Sequence, residues 1–247
     1  MFTDHFSRRA ESYARFRPHY PSDLFAYLAA AAPGTDRVWD CGTGSGQAAV
    51  ALAERFARVV ASDPSRAQVR YAVRAARVRY LVGVAEAAPL ASASVDLVVA
   101  AQALHWFDVA RFHREAARVA RPRGVIAVWS YGAWQADEPI RTVLERFYRE
   151  TVGPYWLPER AIVDAGYANL PFPFDELSPP VFRMEAYWTL DELCGYASTW
   201  SAVQRYQDAV GSDPVAGLRE ELRSVWGDAA TPRTVRWPLR VRVGRTG

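Results

Sequence analysis

One stretch decides the fold, Asp40-Cys-Gly-Thr-Gly-Ser-Gly46, because it follows the apolar pair Val38-Trp39 of a predicted strand and opens an alanine-rich run. Glycines let the backbone turn tightly and approach a ligand closely, since no Cβ obstructs it. A dinucleotide-binding turn has the spacing G-x-G-x-x-G, but Gln47 stands three residues after Gly44, and the third glycine comes one residue early. The stretch therefore predicts a strand, a ligand-binding turn and a helix, and its spacing argues against NAD or FAD.

The sequence around this turn alternates between β-branched runs and alanine-rich runs from Arg37 to Ser130. Such alternation is typical of a parallel sheet whose strands are joined by right-handed helical crossovers. The predicted strands span residues 37–41, 58–62, 78–83, 95–101 and 125–129. The predicted helices between them span residues 45–56, 64–75 and 108–121. We therefore expect an open, doubly wound α/β unit whose ligand lies beyond the carboxyl ends of the strands.

Further elements are predicted on both sides of this unit. Apolar spacing indicates N-terminal helices over 4–16 and from Ser22 to about 33. A capping-box pattern at Thr189–Glu192 predicts a helix over 190–206, followed by another over 213–226. The segments 181–188 and 234–243 alternate like late strands, and as an antiparallel pair they would close the sheet. The expected fold is a mostly parallel seven-stranded sheet with an antiparallel last strand and a small helical and aromatic lid.

The chain is expected to be organised in four consecutive segments. Residues 1–36 form N-terminal helices that cover the ligand site, and residues 37–130 form the ligand-binding core. Residues 131–190, rich in aromatic residues and prolines, form the lid with a late strand, and residues 191–247 form the C-terminal helices and the closing strand.

The composition excludes several classes of protein. The net charge is only +3, and the arginines are scattered among acids, which argues against nucleic acid as a partner. No apolar run is long enough to span a membrane, and no secretion signal is visible, so a cytoplasmic protein is expected, as a monomer or a weak homodimer. The two cysteines, Cys41 and Cys194, are far apart and predict free thiols, with no metal site.

Two acids accompany the glycine turn. Asp63 ends the strand that follows it, where a carboxylate can accept both hydroxyls of an adenosine ribose. Asp40 precedes the first glycine, where it can order the turn and attract cationic groups of a ligand. An ordinary solvated turn acid is the alternative at each position.

These residues give the chain a resemblance to the class I, Rossmann-like methyltransferases that depend on S-adenosylmethionine. The pattern D-x-G-x-G-x-G at 40–46 resembles that family's first motif, and Asp63 matches its ribose acid. Later matching stretches are Ala85-Glu86, Val95–Val99 and Arg121-Pro-Arg-Gly124. Three further stretches, Phe6 to Pro21, Gln102 to Asp108 and Thr199 to Tyr206, resemble the type 11 methyltransferases and, more narrowly, the trans-aconitate methyltransferase subgroup.

The resemblance implies a cofactor, S-adenosylmethionine, with S-adenosylhomocysteine as product. The residues implied to bind it are Tyr13, Arg17, Asp40, Gly42, Thr43, Gly44, Gly46, Gln47, Asp63, Pro64, Ala85, Glu86, Gln102, Ala103 and Trp106. Tyr13 or Trp106 can face the sulfonium, because an aromatic face tolerates a positive centre. The sequence departs from many relatives at Val84, where they carry an acid for the adenine amine.

The implied function is transfer of a methyl group to a small-molecule acceptor, through the oxygen of a carboxylate or a hydroxyl. The alternatives are an RNA or protein methyltransferase and a non-catalytic regulatory module that binds the cofactor. His105 is the candidate general base, although a packing histidine is the competing interpretation. Candidate acceptor-binding residues are Arg17, Trp134, Tyr155, Trp156 and Arg205.

Overall fold

A computed structural model describes residues 16–132 and 134–247 of the chain. Tyr13 and nearly all of the helix predicted over 4–16 lie outside the described residues. Within the described part, no helix is both long and apolar enough to cross a membrane.

Nine strands are found in the described residues. They are β1 Arg37–Cys41, β2 Arg58–Asp63, β3 Val78–Val82, β4 Val95–Ala101, β5 Ala120–Ser130, β6 Asp175–Leu177, β7 Arg183–Trp188, β8 Arg233–Pro238 and β9 Arg240–Arg245. Seven of them form one sheet in the order β3-β2-β1-β4-β5-β9-β6. Strands β1 to β5 pair in parallel, whereas β9 runs antiparallel to both of its neighbours. The predicted fold class, a mostly parallel seven-stranded sheet with an antiparallel last strand, is confirmed.

The α-helices of the described residues lie before, between and after these strands. They are α1 Ser22–Ala31, α2 Gln47–Leu52, α3 Arg66–Tyr71, α4 Val109–Val119, α5 Glu138–Arg146, α6 Arg160–Asp164, α7 Leu190–Ser198, α8 Ser201–Val210 and α9 Pro214–Trp226. Side chains cap several of their N-termini, where backbone N–H groups have no partner within the helix. The predicted capping box is present: the Glu192 carboxylate accepts from the Thr189 N–H at 2.8 Å, and the Thr189 hydroxyl accepts from the Glu192 N–H at 3.4 Å.

The helix predicted over 190–206 is wrong as a single element. It is divided at Trp200, whose backbone is extended and whose indole is buried. The Trp200 ring stacks on Trp134, with 5.3 Å between ring centroids. Burial of a large aromatic ring outweighs the loss of a few helical hydrogen bonds, so α7 and α8 meet at a bend.

The predicted closing pair of strands is also wrong. Segment 234–243 is divided after Pro238, which has no N–H to donate. Its first half, β8, pairs with β7 in a separate two-stranded sheet, and its second half, β9, enters the main sheet. The strand beside β9 at the sheet edge is β6, a segment of three residues that the sequence did not reveal.

Both faces of the main sheet are buried. Val38, Leu97 and Val99 belong to the apolar cluster that includes α1 and α2, whereas their neighbours Trp39 and Val98 belong to the cluster under α4. Alternate residues of these strands therefore point to opposite faces of the sheet, as expected for a sheet covered by helices on both sides. The carboxyl ends of β1, β2, β4 and β5 all point to one edge, where the candidate site lies.

Candidate active site

A cavity of about 680 Å³ opens at the carboxyl ends of β1, β2 and β4. We call it the large cavity. Most of the predicted cofactor residues line it: Arg17, Gly42, Thr43, Gly44, Gln47, Asp63, Pro64, Ala85, Glu86, Gln102, Ala103 and Trp106. Residues as far apart in the sequence as Arg17 and Trp106 therefore converge on a single space.

The glycine turn forms the floor of the large cavity. Gly42, Gly44 and Gly46 all have left-handed backbones, with φ of +69°, +54° and +84°, which side chains disfavour. A Cβ at Gly42 would lie 2.7 Å from the Cβ of Ala103, and a Cβ at Gly46 would overlap the Tyr80 hydroxyl. A Cβ at Gly44 would meet no atom of the described residues within 4 Å, its two chain neighbours aside. Gly44 therefore faces open space that a ligand can fill, whereas Gly46 shapes the turn from behind.

Asp63 ties the end of β2 to the glycine turn. One carboxylate oxygen accepts from the Gly44 N–H at 2.9 Å, and the other accepts from the Ser65 N–H at 2.9 Å. The side chain is buried and yet lines the large cavity. Each carboxylate oxygen can accept more than one hydrogen bond, so these backbone bonds do not by themselves prevent a ribose hydroxyl from donating to Asp63.

Asp40 lies behind the turn and does not line the large cavity. It is fully buried, and the Thr43 hydroxyl donates to its Oδ2 at 2.5 Å. Its Oδ1 has no hydrogen-bond partner among the residues that the structure describes. Burial raises the pKa of Asp40 to about 7, and the nearby Asp63 charge adds to the shift. Asp40 is thus only partly ionised near neutral pH, and a nearby cation would favour its charged form.

This shift predicts how Asp40→Asn changes stability. The folded state holds a proton on Asp40 that the unfolded chain releases at a pKa near 3.8. The native chain therefore loses stability from this group as the pH rises from about 4 to 7. We expect the melting temperature of D40N relative to the native chain to be higher at pH 8 than at pH 5, in the absence of ligand. Thermal unfolding with the exposed Asp208→Asn as control measures this, and an equal difference at both pH values would contradict it.

The rim of the large cavity contains Val84 and Glu86. Val84, which stands where many relatives have an acid, is exposed. The Glu86 carboxylate accepts from the Asp108 N–H at 2.8 Å, which couples the loop after β3 to the start of α4. Glu159, which the sequence did not single out, also lines this cavity, and its Oε2 is buried without a hydrogen-bond partner among the described residues.

A second, smaller space of about 70 Å³ adjoins the large cavity. We call it the aromatic cavity, because the rings of Trp134, Tyr148, Trp156, Tyr196 and Trp200 line it. The two cavities share the lining residues Arg17, Gln102, Trp106 and Tyr131, so they meet there. Gln102 has a left-handed backbone, with φ of +52°, and its amide bonds to both backbone groups of Tyr131. This double hydrogen bond fixes the junction.

Two arginines give the aromatic cavity a positive charge. Arg17 donates to the Tyr131 hydroxyl at 3.0 Å and to the Thr199 carbonyl at 3.3 Å. The Arg160 guanidinium lies over the Trp156 ring at 4.7 Å, and its Nε donates to Asp164 at 2.9 Å. No carboxylate is among the described residues that line this cavity. An anionic ligand is therefore favoured there.

His105 lines the aromatic cavity from the short turn Leu104–Trp106 after β4. Its Nδ1 lies 2.9 Å from the Tyr167 hydroxyl oxygen. Burial, with a smaller contribution from the Arg160 charge, lowers the pKa of His105 to about 3. The imidazole is therefore neutral at physiological pH and a weak base.

The structure brings some predicted acceptor-binding residues together and leaves others apart. Arg17, Trp134 and Trp156 line the aromatic cavity with His105. Tyr155 and Arg205 line neither cavity: Tyr155 packs on Tyr206 with 5.0 Å between ring centroids, and Arg205 is exposed on α8. Sequence reasoning did not predict that five further residues line this cavity, because no spacing pattern links them. They are Arg160, Tyr131, Tyr148, Tyr196 and Trp200.

Comparison with known proteins places this architecture in context. A family model described as a methyltransferase domain matches residues 39–128. A protein of Dictyostelium discoideum that bears the name of a methyltransferase is 33% identical over 225 residues, covering 90% of this chain and 86% of the relative. An uncharacterised methyltransferase of Mycobacterium tuberculosis is 42% identical over 187 residues, covering 74% of this chain and 70% of the relative.

A solved structure also aligns along nearly the whole chain. It is that of a candidate type II methyltransferase from Anaeromyxobacter dehalogenans, with a TM-score of 0.87 and 46% identity, covering 93% of this chain and 98% of the other. Over a shorter region, a malonyl-[acyl-carrier protein] O-methyltransferase of Dechloromonas aromatica is 43% identical over 96 residues, covering 38% of this chain and 36% of the relative.

Proposed function

The chain belongs to the S-adenosylmethionine-dependent methyltransferases, and from that premise we propose that it methylates an oxygen of a small organic acid. The proposal rests on one observation above all. The large cavity, which suits the cofactor, opens into an aromatic cavity that contains two guanidinium groups and no lining carboxylate among the described residues. An anionic acceptor is therefore the ligand that the second space favours.

The residues of the large cavity fit S-adenosylmethionine. Gly44 leaves a cradle that a Cβ would fill, and Asp63 offers carboxylate oxygens at its edge for ribose hydroxyls. The cofactor is cationic at its sulfonium and its ammonium. The buried Asp40 and the partly buried Glu159 each have a buried oxygen without a hydrogen-bond partner in the described chain. Trp106, at the junction of the cavities, suits the neighbourhood of a sulfonium.

When bound, S-adenosylmethionine supplies a methyl group made electrophilic by its sulfonium sulfur. The residues of this chain have to hold an acceptor oxygen close to that methyl group and to exclude water from it. Catalysis of this kind depends mainly on positioning. The stacked rings of Trp134 and Trp200 form an apolar part of the cavity wall. Exclusion of water by such a wall leaves an anionic oxygen less solvated and so more reactive.

A carboxylate acceptor agrees with the narrower resemblance to the trans-aconitate methyltransferase subgroup. It also agrees with the name of the Dechloromonas relative, an O-methyltransferase that shares a shorter region with this chain. A hydroxyl acceptor is the second candidate, favoured by the presence of His105 in the aromatic cavity. The two candidates differ in whether a proton must leave the acceptor.

The experiment has a binding arm and a turnover arm. S-adenosylhomocysteine at 100 times its dissociation constant should stabilise the native chain by about 2.7 kcal/mol, which raises the melting temperature of a chain of this length by roughly 5–10 °C. NAD in parallel should produce no shift. A panel of small carboxylic acids and matched alcohols with labelled methyl donor then tests turnover. Methyl transfer only to alcohols, or none to any acid, would contradict the proposal.

Arg160→Gln should weaken the binding of the acceptor and leave the binding of the cofactor unchanged. Loss of a hydrogen bond to a charged group costs about 1.5–3 kcal/mol, so we expect KM for the acid substrate to rise about 10- to 100-fold. The stabilisation by S-adenosylhomocysteine should be unchanged, because Arg160 does not line the large cavity. Arg205→Gln, an exposed arginine of α8, is the matched control and should leave both quantities unchanged. An unaltered KM in R160Q would remove Arg160 from the site.

A further inference from the structure

His105 and Tyr167 form a buried pair whose geometry constrains where the protons lie. Nδ1 of His105 and the Tyr167 hydroxyl oxygen are 2.9 Å apart, which is a hydrogen bond in either direction. Tyr167 is fully buried. Among the residues that the structure describes, this imidazole nitrogen is the only acceptor within hydrogen-bond distance of its hydroxyl. A buried hydroxyl normally donates to some partner, so its proton points to Nδ1.

The surroundings of the hydroxyl support the same direction. Burial raises the pKa of Tyr167, so the hydroxyl stays protonated. The backbone N–H groups of Leu104 and His105 act on the oxygen in the opposite sense, because they favour its negative form. The single hydrogen bond that the described structure gives this hydroxyl is the one to Nδ1 of His105, so its one proton is directed there. Nδ1 is thus the acceptor, and a neutral imidazole then carries its own proton on Nε2.

The backbone of Tyr167 is held in an unfavourable conformation. Its backbone has a φ of +62°, a left-handed conformation that is unusual for a bulky residue. Its carbonyl accepts from Arg242 of β9 at 3.0 Å, and its N–H donates to the Ile162 carbonyl at 3.2 Å. Strain that the surrounding structure maintains is a pointer to function. Here it directs the hydroxyl at the imidazole that lines the aromatic cavity.

We propose that His105 is a hydrogen-bond donor to the acceptor oxygen, and that Tyr167 is the positioning residue that fixes it in the Nε2–H tautomer. This inference rests on the proposed function and reverses the expectation that His105 is a general base. The Nε2–H group then joins the guanidiniums of Arg17 and Arg160 as donors in one cavity. Three hydrogen-bond donors, in a cavity that no carboxylate of the described residues lines, suit an acceptor oxygen that is already an anion when it binds.

The consequence for the reaction is a choice of acceptor. As the new C–O bond forms, a lone pair of the acceptor oxygen is shared with the methyl carbon, the C–S bond breaks, and its electron pair stays on sulfur. An ionised carboxylate becomes a neutral ester and releases no proton, so no base is needed. A hydroxyl would have to lose a proton, and His105 in this tautomer has no free lone pair that faces the cavity. The pair therefore selects acids over alcohols.

Nitrogen NMR on the free and S-adenosylhomocysteine-bound protein tests the tautomer without turnover. The protein is prepared with ¹⁵N-labelled histidine, and the resonances of His105 are those that disappear in His105→Gln. We expect the Nε2–H pattern, with no titration between pH 5.5 and 8, because burial and then the Arg160 charge lower the pKa of the ring, and Tyr167, its hydrogen-bond partner, stays neutral. Tyr167→Phe should mix the two tautomers, whereas the exposed Tyr71→Phe should not. An Nδ1–H pattern, or protonation in that range, would overturn the proposal.

A second readout tests the contact with the acceptor. Acetate and ethanol, which have two carbons each, are titrated into the protein with S-adenosylhomocysteine bound. We expect acetate to shift the His105 Nε2–H resonance saturably and ethanol to leave it in place, and the acetate shift should be at least halved in Tyr167→Phe. A shift with ethanol alone, or with neither probe, would refute the donor role. Absence of S-adenosylhomocysteine binding would instead contradict the proposed function, so the two failures are distinguishable.

Discussion

Gly44→Val is expected to abolish the binding of S-adenosylhomocysteine while the sheet stays folded. A Cβ at Gly44 points into the open space of the large cavity and, its chain neighbours aside, has no atom of residues 16–132 or 134–247 within 4 Å. A branched side chain there occupies volume that the ligand needs, and overpacking costs about 1–3 kcal/mol. Valine also fits a left-handed backbone poorly, so the turn itself shifts. Together these effects predict a loss of affinity of about 100-fold or more, measured by calorimetry.

The control for this variant has to separate backbone strain from occupied space. Gly211 at the end of α8 serves, because it also has a left-handed backbone, with φ of +77°, and open space at its Cβ. Gly211→Val carries the same kind of strain but lies away from the large cavity. It should lose a similar amount of stability and keep its affinity for S-adenosylhomocysteine. If G44V also kept that affinity, the glycine turn would not be the cofactor site.

The parts of the fold that the sequence predicted are those fixed by local pattern. Strands β1 to β4 begin where they were predicted, because each is a β-branched run bounded by turn residues or an alanine-rich helix. The short strand β6 was missed because its three residues are a strand only through pairing with β9. The bend between α7 and α8 was missed because Trp200 packs on Trp134, far away in the sequence. Long-range packing overrode the local pattern in both places.

The candidate site divides in the same way. Asp63 and the glycines were identifiable because they directly follow strands whose carboxyl ends share one edge. Arg160 could not be identified from the sequence, because it is one of 30 arginines. Only the tertiary fold places it over Trp156 and in the lining of the aromatic cavity. Tyr167 gave no signal for a similar reason, since its pairing with His105 spans the insertion. The cofactor half of the site can be read from short stretches of sequence, whereas the acceptor half depends on how residues 131–200 pack.

Asp63→Asn is expected to lower the affinity for S-adenosylhomocysteine by about 100-fold or more. The carboxylate oxygens accept from the Gly44 and Ser65 N–H groups. An amide keeps only one oxygen, so one of these donors meets an NH₂ group, and the charge that strengthens the ribose hydrogen bonds is lost. Two hydrogen bonds to a charged group contribute about 3–6 kcal/mol together, which corresponds to roughly 100- to 10,000-fold in affinity.

The comparison that makes this prediction decisive is Asp96→Asn. Asp96 is also a buried carboxylate that accepts from two backbone N–H groups, those of Asp36 at 3.0 Å and Arg37 at 2.8 Å. It lies at the opposite end of the strands and does not line the large cavity. Both variants should lower the melting temperature of the free protein, since each leaves a buried donor poorly paired. Only D63N should lose affinity in calorimetry at a temperature where both are folded, and equal affinities would show that Asp63 supports the turn without binding the ribose.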